Sequence, residues 1–150
     1  PYLAANRKFA SVEELKQVRG FEEKKYDLIA PYISALPDIA TRINVNTAPA
    51  MVLAAMDEKL DVNSIQTALK ARQEKLEHFA NVGELMKIAP FDSLEVASKT
   101  EADKIFGVTS SYFKAKIEVS LSNRKRQFTT RFMRNDKSQV YVYSRSLAPF

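Results

Sequence analysis

Two periodicities divide this sequence. Up to about residue 107 the apolar positions recur at helical spacing, and beyond it they alternate every second residue. Near the start, Ser11-Val12-Glu13-Glu14 has the form of a capping box, with Ser11 at the cap and Glu14 three residues later. Val12, Leu15 and Val18 give this helix one apolar face, and Gly20 is its expected stop. A second helix is expected over 22–30, with Tyr26, Leu28 and Ile29 inward, ending before Pro31. Tyr32, Ile33 and Leu36 then pack a short connector that closes at Pro37-Asp38.

The pattern next breaks into Ile43-Asn44-Val45-Asn46-Thr47-Ala48-Pro49, the junction around which the helical part is arranged. Ile43 and Val45 alternate with Asn44, the mark of a very short extended segment. The side chain of Asn46 or Thr47 is expected to cap the helix that follows. Pro49 would sit in its first turn, with Met51, Val52, Leu53 and Met56 at helical spacing behind it. On this account Asn44 and Asn46 are turn formers and caps, and the stretch is a well-capped helix start of the kind any α-rich domain can own.

A longer helix is expected from Asp61 or Asn63 to about Glu77, with Val62, Ile65, Leu69 and Leu76 on its buried stripe. Phe79-Ala80-Asn81-Val82-Gly83-Glu84-Leu85 then matches Phe9-Ala10-Ser11-Val12-Glu13-Glu14-Leu15 at Phe, Ala, Val, Glu and Leu. The capping box recurs as Asn81 with Glu84, which reads either as a duplicated helical unit or as convergence of short capped helices. A last helix over 94–105 stops at Gly107. Beyond it, Phe113, Ala115, Ile117, Val119 and Leu121 alternate with Lys114, Lys116, Glu118 and Ser120, so one face is expected to be buried and the other wet. With turns at Ser122-Asn123-Arg124-Lys125 and Asn135-Asp136-Lys137-Ser138, strands over 127–134 and 139–145 complete a three-stranded antiparallel meander. Its face and edges need cover, part of which is expected from sequence outside this chain.

The fold class is therefore α+β. The helical part covers 1–107, as two similar capped units at about 9–36 and 43–106, and the strands cover 108–150. With 45% hydrophobic and 27% charged residues, the composition is that of an ordinary globular protein able to bury a core. Charge sharpens the division. Residues 1–113 hold 14 basic and 16 acidic side chains, and residues 114–150 hold 9 and 2, so a mildly acidic helical part carries a basic tail. That tail suits nucleic acid, an anionic surface or an acidic partner.

Candidate chemistry is sparse. Without cysteine there is no disulfide framework and no thiolate metal site, and the compartment stays open. His78, the single histidine, has no HxxxH or HxH partner and reads as a solvated surface residue. Gly20, Gly83 and Gly107 are isolated, so no phosphate-cradling loop forms. The pairs Glu13/Glu14, Glu22/Glu23 and Asp57/Glu58 read as solvated helix ends, and no calcium-loop spacing is present. No enzyme is expected. No run reaches the roughly 18 apolar residues of a membrane span, and Pro1-Tyr2-Leu3 starts neither with Met nor with a signal peptide, as in an excised piece of a longer protein.

Two resemblances attach to the central stretch. The "IN-x-NTA" start resembles helix-hairpin-helix DNA-binding modules, whose glycine-rich hairpin offers converging backbone N–H groups to a phosphate. The hairpin positions here depart from that pattern. Val18-Arg19-Gly20-Phe21 keeps one glycine, Ile88-Ala89-Pro90-Phe91 none, and Met56-Asp57-Glu58-Lys59 none, with acids added. The acidic balance of the helical part also opposes phosphate binding.

The wider resemblance is to the minor pseudopilin K family of bacterial type II secretion systems. It is carried by 6–15, by 18–21, by Thr41-Arg42 with the central stretch and Val52-Leu53-Ala54-Ala55, by Phe79-Ala80-Asn81-Val82, and by 108–113 leading into the strands. It spans roughly 6–145. The resemblance implies a helical, SAM-like insertion within a pilin-type α+β fold, preceded by a long hydrophobic N-terminal helix that anchors the protein in the inner membrane, with the remainder in the periplasm. It implies a structural role at the pseudopilus tip, with minor pseudopilins I and J as partners and with contacts to secreted substrate or the outer-membrane secretin. Nucleic acid is not an expected partner. Calcium binding is implied for some members, although no motif here carries over its ligands, and the lack of cysteine departs from members that hold a disulfide. Arg42 is expected to pair with a helix carboxylate.

Overall fold

The computed structural model describes residues 6–38, 41–122 and 124–148. Asn123 of the expected turn and Pro1-Tyr2-Leu3 lie outside them. Short helices come first: a 3-10 helix Val12–Gln17, α1 at Glu23–Ile29, and a 3-10 turn Ala30–Tyr32. After β1 (Ile43–Asn44) follow α2 (Ala50–Ala54), α3 (Val62–Glu74), α4 (Val82–Leu85), a 3-10 turn Phe91–Ser93 and α5 (Val96–Ile105). The chain ends in β2 (Phe106–Gly107), β3 (Tyr112–Leu121), β4 (Arg124–Arg134) and β5 (Val140–Ala148).

The core belongs to the second helical stretch. Val45, Leu53, Ile65, Leu85, Phe91 and Phe106 are its largest fully buried side chains, and with Ala102 of α5 they draw on each helix between β1 and β2. Tyr26, the buried apolar residue of the first unit, lies outside this cluster, under the Lys16 ammonium at 4.5 Å from its ring centroid. The first unit instead meets the sheet, across a cleft lined by Val12, Tyr26, Leu36, Tyr112, Arg131 and Tyr143.

Both capping sequences close as their residues dictate. The Glu14 carboxylate accepts from the Ala10 and Ser11 N–H groups at 2.9 and 3.2 Å. The Glu84 carboxylate accepts from Ala80 N–H at 2.9 Å, while Asn81 Oδ1 accepts from Glu84 N–H at 3.1 Å. Asp61 caps α3 through its carboxylate, which accepts from the Ser64 N–H and hydroxyl at 2.7 and 2.8 Å.

Several expectations need correction. The first helix is a 3-10 helix, with Val12 and Leu15 half-buried and Val18 exposed. In α1, Tyr26 is buried but Leu28 is 72% exposed, because the helix touches the rest of the fold on one narrow side. Leu76 does not join the buried stripe of α3. The helix ends at Glu74, and Leu76 takes a left-handed φ of 57° with 84% of its surface exposed. Leu94 is buried ahead of α5, which starts only at Val96.

The three strands pair as a meander in the order β3-β4-β5, with Phe113 opposite Phe132, Ile117 opposite Phe128, and Phe128 opposite Leu147. The first turn is tighter than expected, since pairing runs on to Leu121 opposite Arg124. The third strand begins one residue later and runs further, to Ala148. Alternation places Phe113, Ile117, Val119, Phe128 and Phe132 on one face as expected. That face is not buried within this chain: Ile117 and Val119 are about half exposed and Leu121 is 77% exposed. The helical part packs against the opposite, Tyr112 and Arg131 side.

Two measurements test these local readings. Glycine carries no Cβ penalty in the left-handed region, so Leu76→Gly should raise unfolding stability by about 0.5–1 kcal/mol in urea titrations; a loss of stability would refute the strain assignment. Hydrogen bonds from Ser64 N–H and then its hydroxyl hold the Asp61 carboxyl below its ordinary 3.8. A carboxyl with a depressed folded value stabilises above its unfolded value, and that contribution disappears as pH falls through the folded value. The stability advantage of the parent over Asp61→Asn should therefore be larger at pH 7 than below pH 3.8; a pH-independent difference would count against the charged cap.

Candidate functional site

The central stretch is a three-way tie. Ile43 and Asn44 form a parallel bridge with Phe106 and Gly107, and Val45 N–H donates to Gly107 O at 2.9 Å. A Cβ on Gly107 would stand 3.3 Å from Arg42 Cβ, so a glycine lets the two segments approach this closely. Arg42 makes no ion pair among the described residues; its stem lies against Gly107 instead of reaching a helix carboxylate.

Neither Asn46 nor Thr47 caps the next helix. The N-cap of α2 is Pro49, in extended conformation and without a side-chain cap, and the helix starts at Ala50. Pro49 thus stands before the first turn. The Asn46 amide is used across the fold: its Nδ2 donates to Phe79 O at 3.0 Å and its Oδ1 accepts from Phe79 N–H at 2.7 Å. One side chain thus satisfies both backbone groups of a residue 33 positions away. Asn44 Oδ1 accepts from Asn46 N–H at 3.0 Å, closing a local turn, and its Nδ2 donates to Ser110 Oγ at 3.0 Å. Thr47 Oγ1 donates to Asn44 O at 3.4 Å.

Phe79 is fixed on its ring as well, by the Arg72 guanidinium 4.2 Å from the centroid. His78, beside it, is exposed, and its carbonyl accepts from Arg72 Nη2 at 3.4 Å. Sequence reasoning missed the Asn46–Phe79 pairing, the Arg72 stack and the β1–β2 bridge. The only sequence signal for the last was the short apolar run Ile105-Phe106-Gly107-Val108.

The remaining charges serve local structure. Hydrogen bonds from Lys59 N–H and then Ser98 Oγ hold Asp57 below the usual carboxylate range. Glu13 is lowered by its own backbone N–H and then by Ser11, with smaller pulls from Arg131 and Lys114 on the sheet. Among the described residues no three His, Asp or Glu side chains are grouped to hold a metal. What the arrangement offers is surface. Beside a closed helical core lies an open apolar sheet face, formed by Phe113, Ile117, Val119, Phe128 and Leu147, with Arg124 opposite Leu121 and Arg126 opposite Val119.

The comparisons agree with this layout of helices and late sheet. Two family models, each described as type II secretion system (T2SS) protein K, match residues 43–109 and 1–38. Type II secretion system protein K of Pseudomonas aeruginosa is 33% identical over 97% of this chain, and that of Aeromonas hydrophila is 28% identical over the same share. The chain spans 41% and 44% of these two relatives, less than half of each. A crystal structure titled as the GspK-GspI-GspJ complex from the enterotoxigenic Escherichia coli type 2 secretion system has a chain with TM-score 0.76 at 20% identity. The match covers all of this chain and 52% of that one, and it shows a shared fold. A mixed helical protein with a three-stranded antiparallel sheet is the class so defined. This chain belongs to the protein K family of type II secretion systems, the minor pseudopilin K.

Removing the tie at its centre should be costly. Asn46→Ala strands both backbone groups of Phe79, and unfolding stability should fall by about 2–4 kcal/mol in denaturant titrations. A loss below about 0.5 kcal/mol, the range of an ordinary surface change, would show that water replaces the amide freely.

Proposed function

We propose that this chain is the periplasmic part of a non-enzymatic subunit at the tip of the type II secretion pseudopilus. In this reading it assembles with minor pseudopilins I and J and helps folded proteins leave the cell. Supporting it are the family membership and the complex named for the solved relative. The observation that carries it is the contrast between a closed helical core and an apolar sheet face left half exposed. A face of that kind is covered in the whole protein, because contiguous exposed apolar surface marks an interaction site for a further element.

The finer architecture follows the same reading. The helical part over 1–107 is a SAM-like insertion of two related capped units, and 108–150 supplies strands of a pilin-type sheet. A long hydrophobic helix, within the additional length that the relatives have, covers the sheet face and holds the protein in the inner membrane. Ile43 to Pro49 serves as the structural knot of the insertion and not as a ligand site. The bulky helical part caps the fibre, where it is placed to meet cargo or the secretin.

Size-exclusion chromatography of this chain with the soluble domains of pseudopilins I and J should yield a ternary complex. Salt-sensitive binding to DNA in place of that complex would overturn the assignment. Ile117→Lys with Val119→Glu, which places the new carboxylate opposite Arg126, separates folding from assembly. Both positions are about half exposed, so the chain's own stability should move by less than about 1 kcal/mol. In the full-length protein the same pair should abolish incorporation beside I and J, and normal incorporation would remove the sheet face from the argument.

A further inference from the structure

At the C-terminal end of α3, features that are unfavourable for an isolated fold meet along one groove. Leu76 stands where the chain turns left-handed, with its N–H donating to Gln73 O and Glu77 N–H donating to Arg72 O, both at 3.0 Å. Glycine or asparagine ordinarily takes this position, because a Cβ is crowded there. A leucine here bears strain and leaves 84% of its surface in water.

Arg72 is held firmly by stacking and loosely by hydrogen bonds. Its guanidinium lies over Phe79, yet Nη1 is 3.6 Å from Glu77 Oε2 and Nη2 is 3.4 Å from His78 O. Charge-assisted bonds of guanidinium to carboxylate close to about 2.7–2.9 Å when well made. Nε is buried without an acceptor, and a quarter of the side chain remains exposed. Between these residues runs a groove of roughly 480 Å³, walled by Ala48, Leu69, Arg72, Gln73, Leu76 and His78.

We propose that this groove is a docking site for a protein segment that presents a carboxylate beside a branched apolar side chain. The carboxylate takes the two terminal nitrogens of Arg72 as a fork, a geometry that guanidinium favours. The apolar side chain packs on Leu76, Leu69 and Ala48 and removes the exposed leucine from water. Phe79 backs the guanidinium, and Asn46 fixes the Phe79 backbone, so the cation is pre-positioned. Charge selects this occupant over a phosphate-rich one. The groove offers one arginine with Glu77 beside it, whereas lipid headgroups and nucleic acids are held by clusters of basic residues. Glu77 is the weak internal competitor that the incoming carboxylate displaces, since an exposed pair of this length contributes little. This inference does not depend on the pseudopilus reading.

The test is a titration of the isotope-labelled 150-residue chain, followed by backbone amide NMR shifts. The probe is a capped helical peptide carrying glutamate and leucine four residues apart along one face, with its glutamine counterpart as control. Saturable shifts confined to 46–48 and 69–79 are expected, with the glutamine peptide at least about tenfold weaker. Arg72→Gln should weaken the glutamate peptide about tenfold, and Glu77→Gln should tighten it severalfold by removing the competitor. Leu76→Gly, which relieves strain and keeps the fold, should weaken it about threefold through lost apolar contact. If Arg72→Gln does not fold, the Glu77 and Leu76 variants decide the matter. No saturable shift, shifts centred elsewhere, equal affinity for the glutamine peptide, or indifference to Glu77→Gln and Leu76→Gly would each overturn the proposal.

Discussion

Phe79 enters the core at the bend between α3 and α4, where no neighbouring strand or helix is available to pair its peptide groups. Burying an unpaired N–H and C=O there would cost several kcal/mol, enough to forbid the bend in a domain of ordinary stability. The Asn46 amide removes that penalty by presenting a donor and an acceptor at peptide-like spacing, 3.0 and 2.7 Å from their partners. Once Asn46 is held there, Val45 is driven into the core and Asn44 is left to bond Ser110. The β1 bridge to Phe106–Gly107 then brings the start and the end of the helical core together. The packing of the four short helices α2 to α5 depends on this tie, because none of them is long enough to be stable alone.

The rest of the molecule is arranged outward from that core. The first capped unit contributes no residue to the main cluster and rests against the tyrosine side of the sheet. There Glu13 lies within the electrostatic reach of Arg131 and Lys114, so the acidic helical part and the basic strands attract across the junction. Tyr112 and Tyr143 meet edge-to-face at 5.8 Å on the same border. One face of the sheet is thereby occupied from within the chain, and the other is left for a partner element.

The resemblance of the central stretch to a DNA-binding module has a plain physical basis. A short extended run, an asparagine pair and a proline before a helix make a compact way of turning a chain into a core, whatever the surface does. Here the asparagines are satisfied internally, and of the three hairpin positions one keeps a single glycine while the other two carry acids or proline. The consecutive glycines that would let backbone N–H groups converge on a phosphate are missing from these positions.

Local chemistry was legible in the sequence wherever neighbours within one turn decide the outcome. The Glu14, Glu84 and Asp61 caps, the existence and order of the three strands, the second turn and the charge division all follow from residue type and spacing. Leu76 was misread because helical spacing does not reveal where a helix stops, and the left-handed exit turned its side chain outward. Asn46 was misread because an asparagine before a helix satisfies local capping rules equally well; only its proximity to Phe79 distinguishes a cross-fold tie from a cap. The β1–β2 bridge joins residues more than sixty positions apart, a distance no periodicity can record. The burial of the sheet's apolar face could not be read from alternation either. Alternation by itself determines that a face is apolar, and only the tertiary structure, by placing the helices on the other side, decides that this chain leaves that face open.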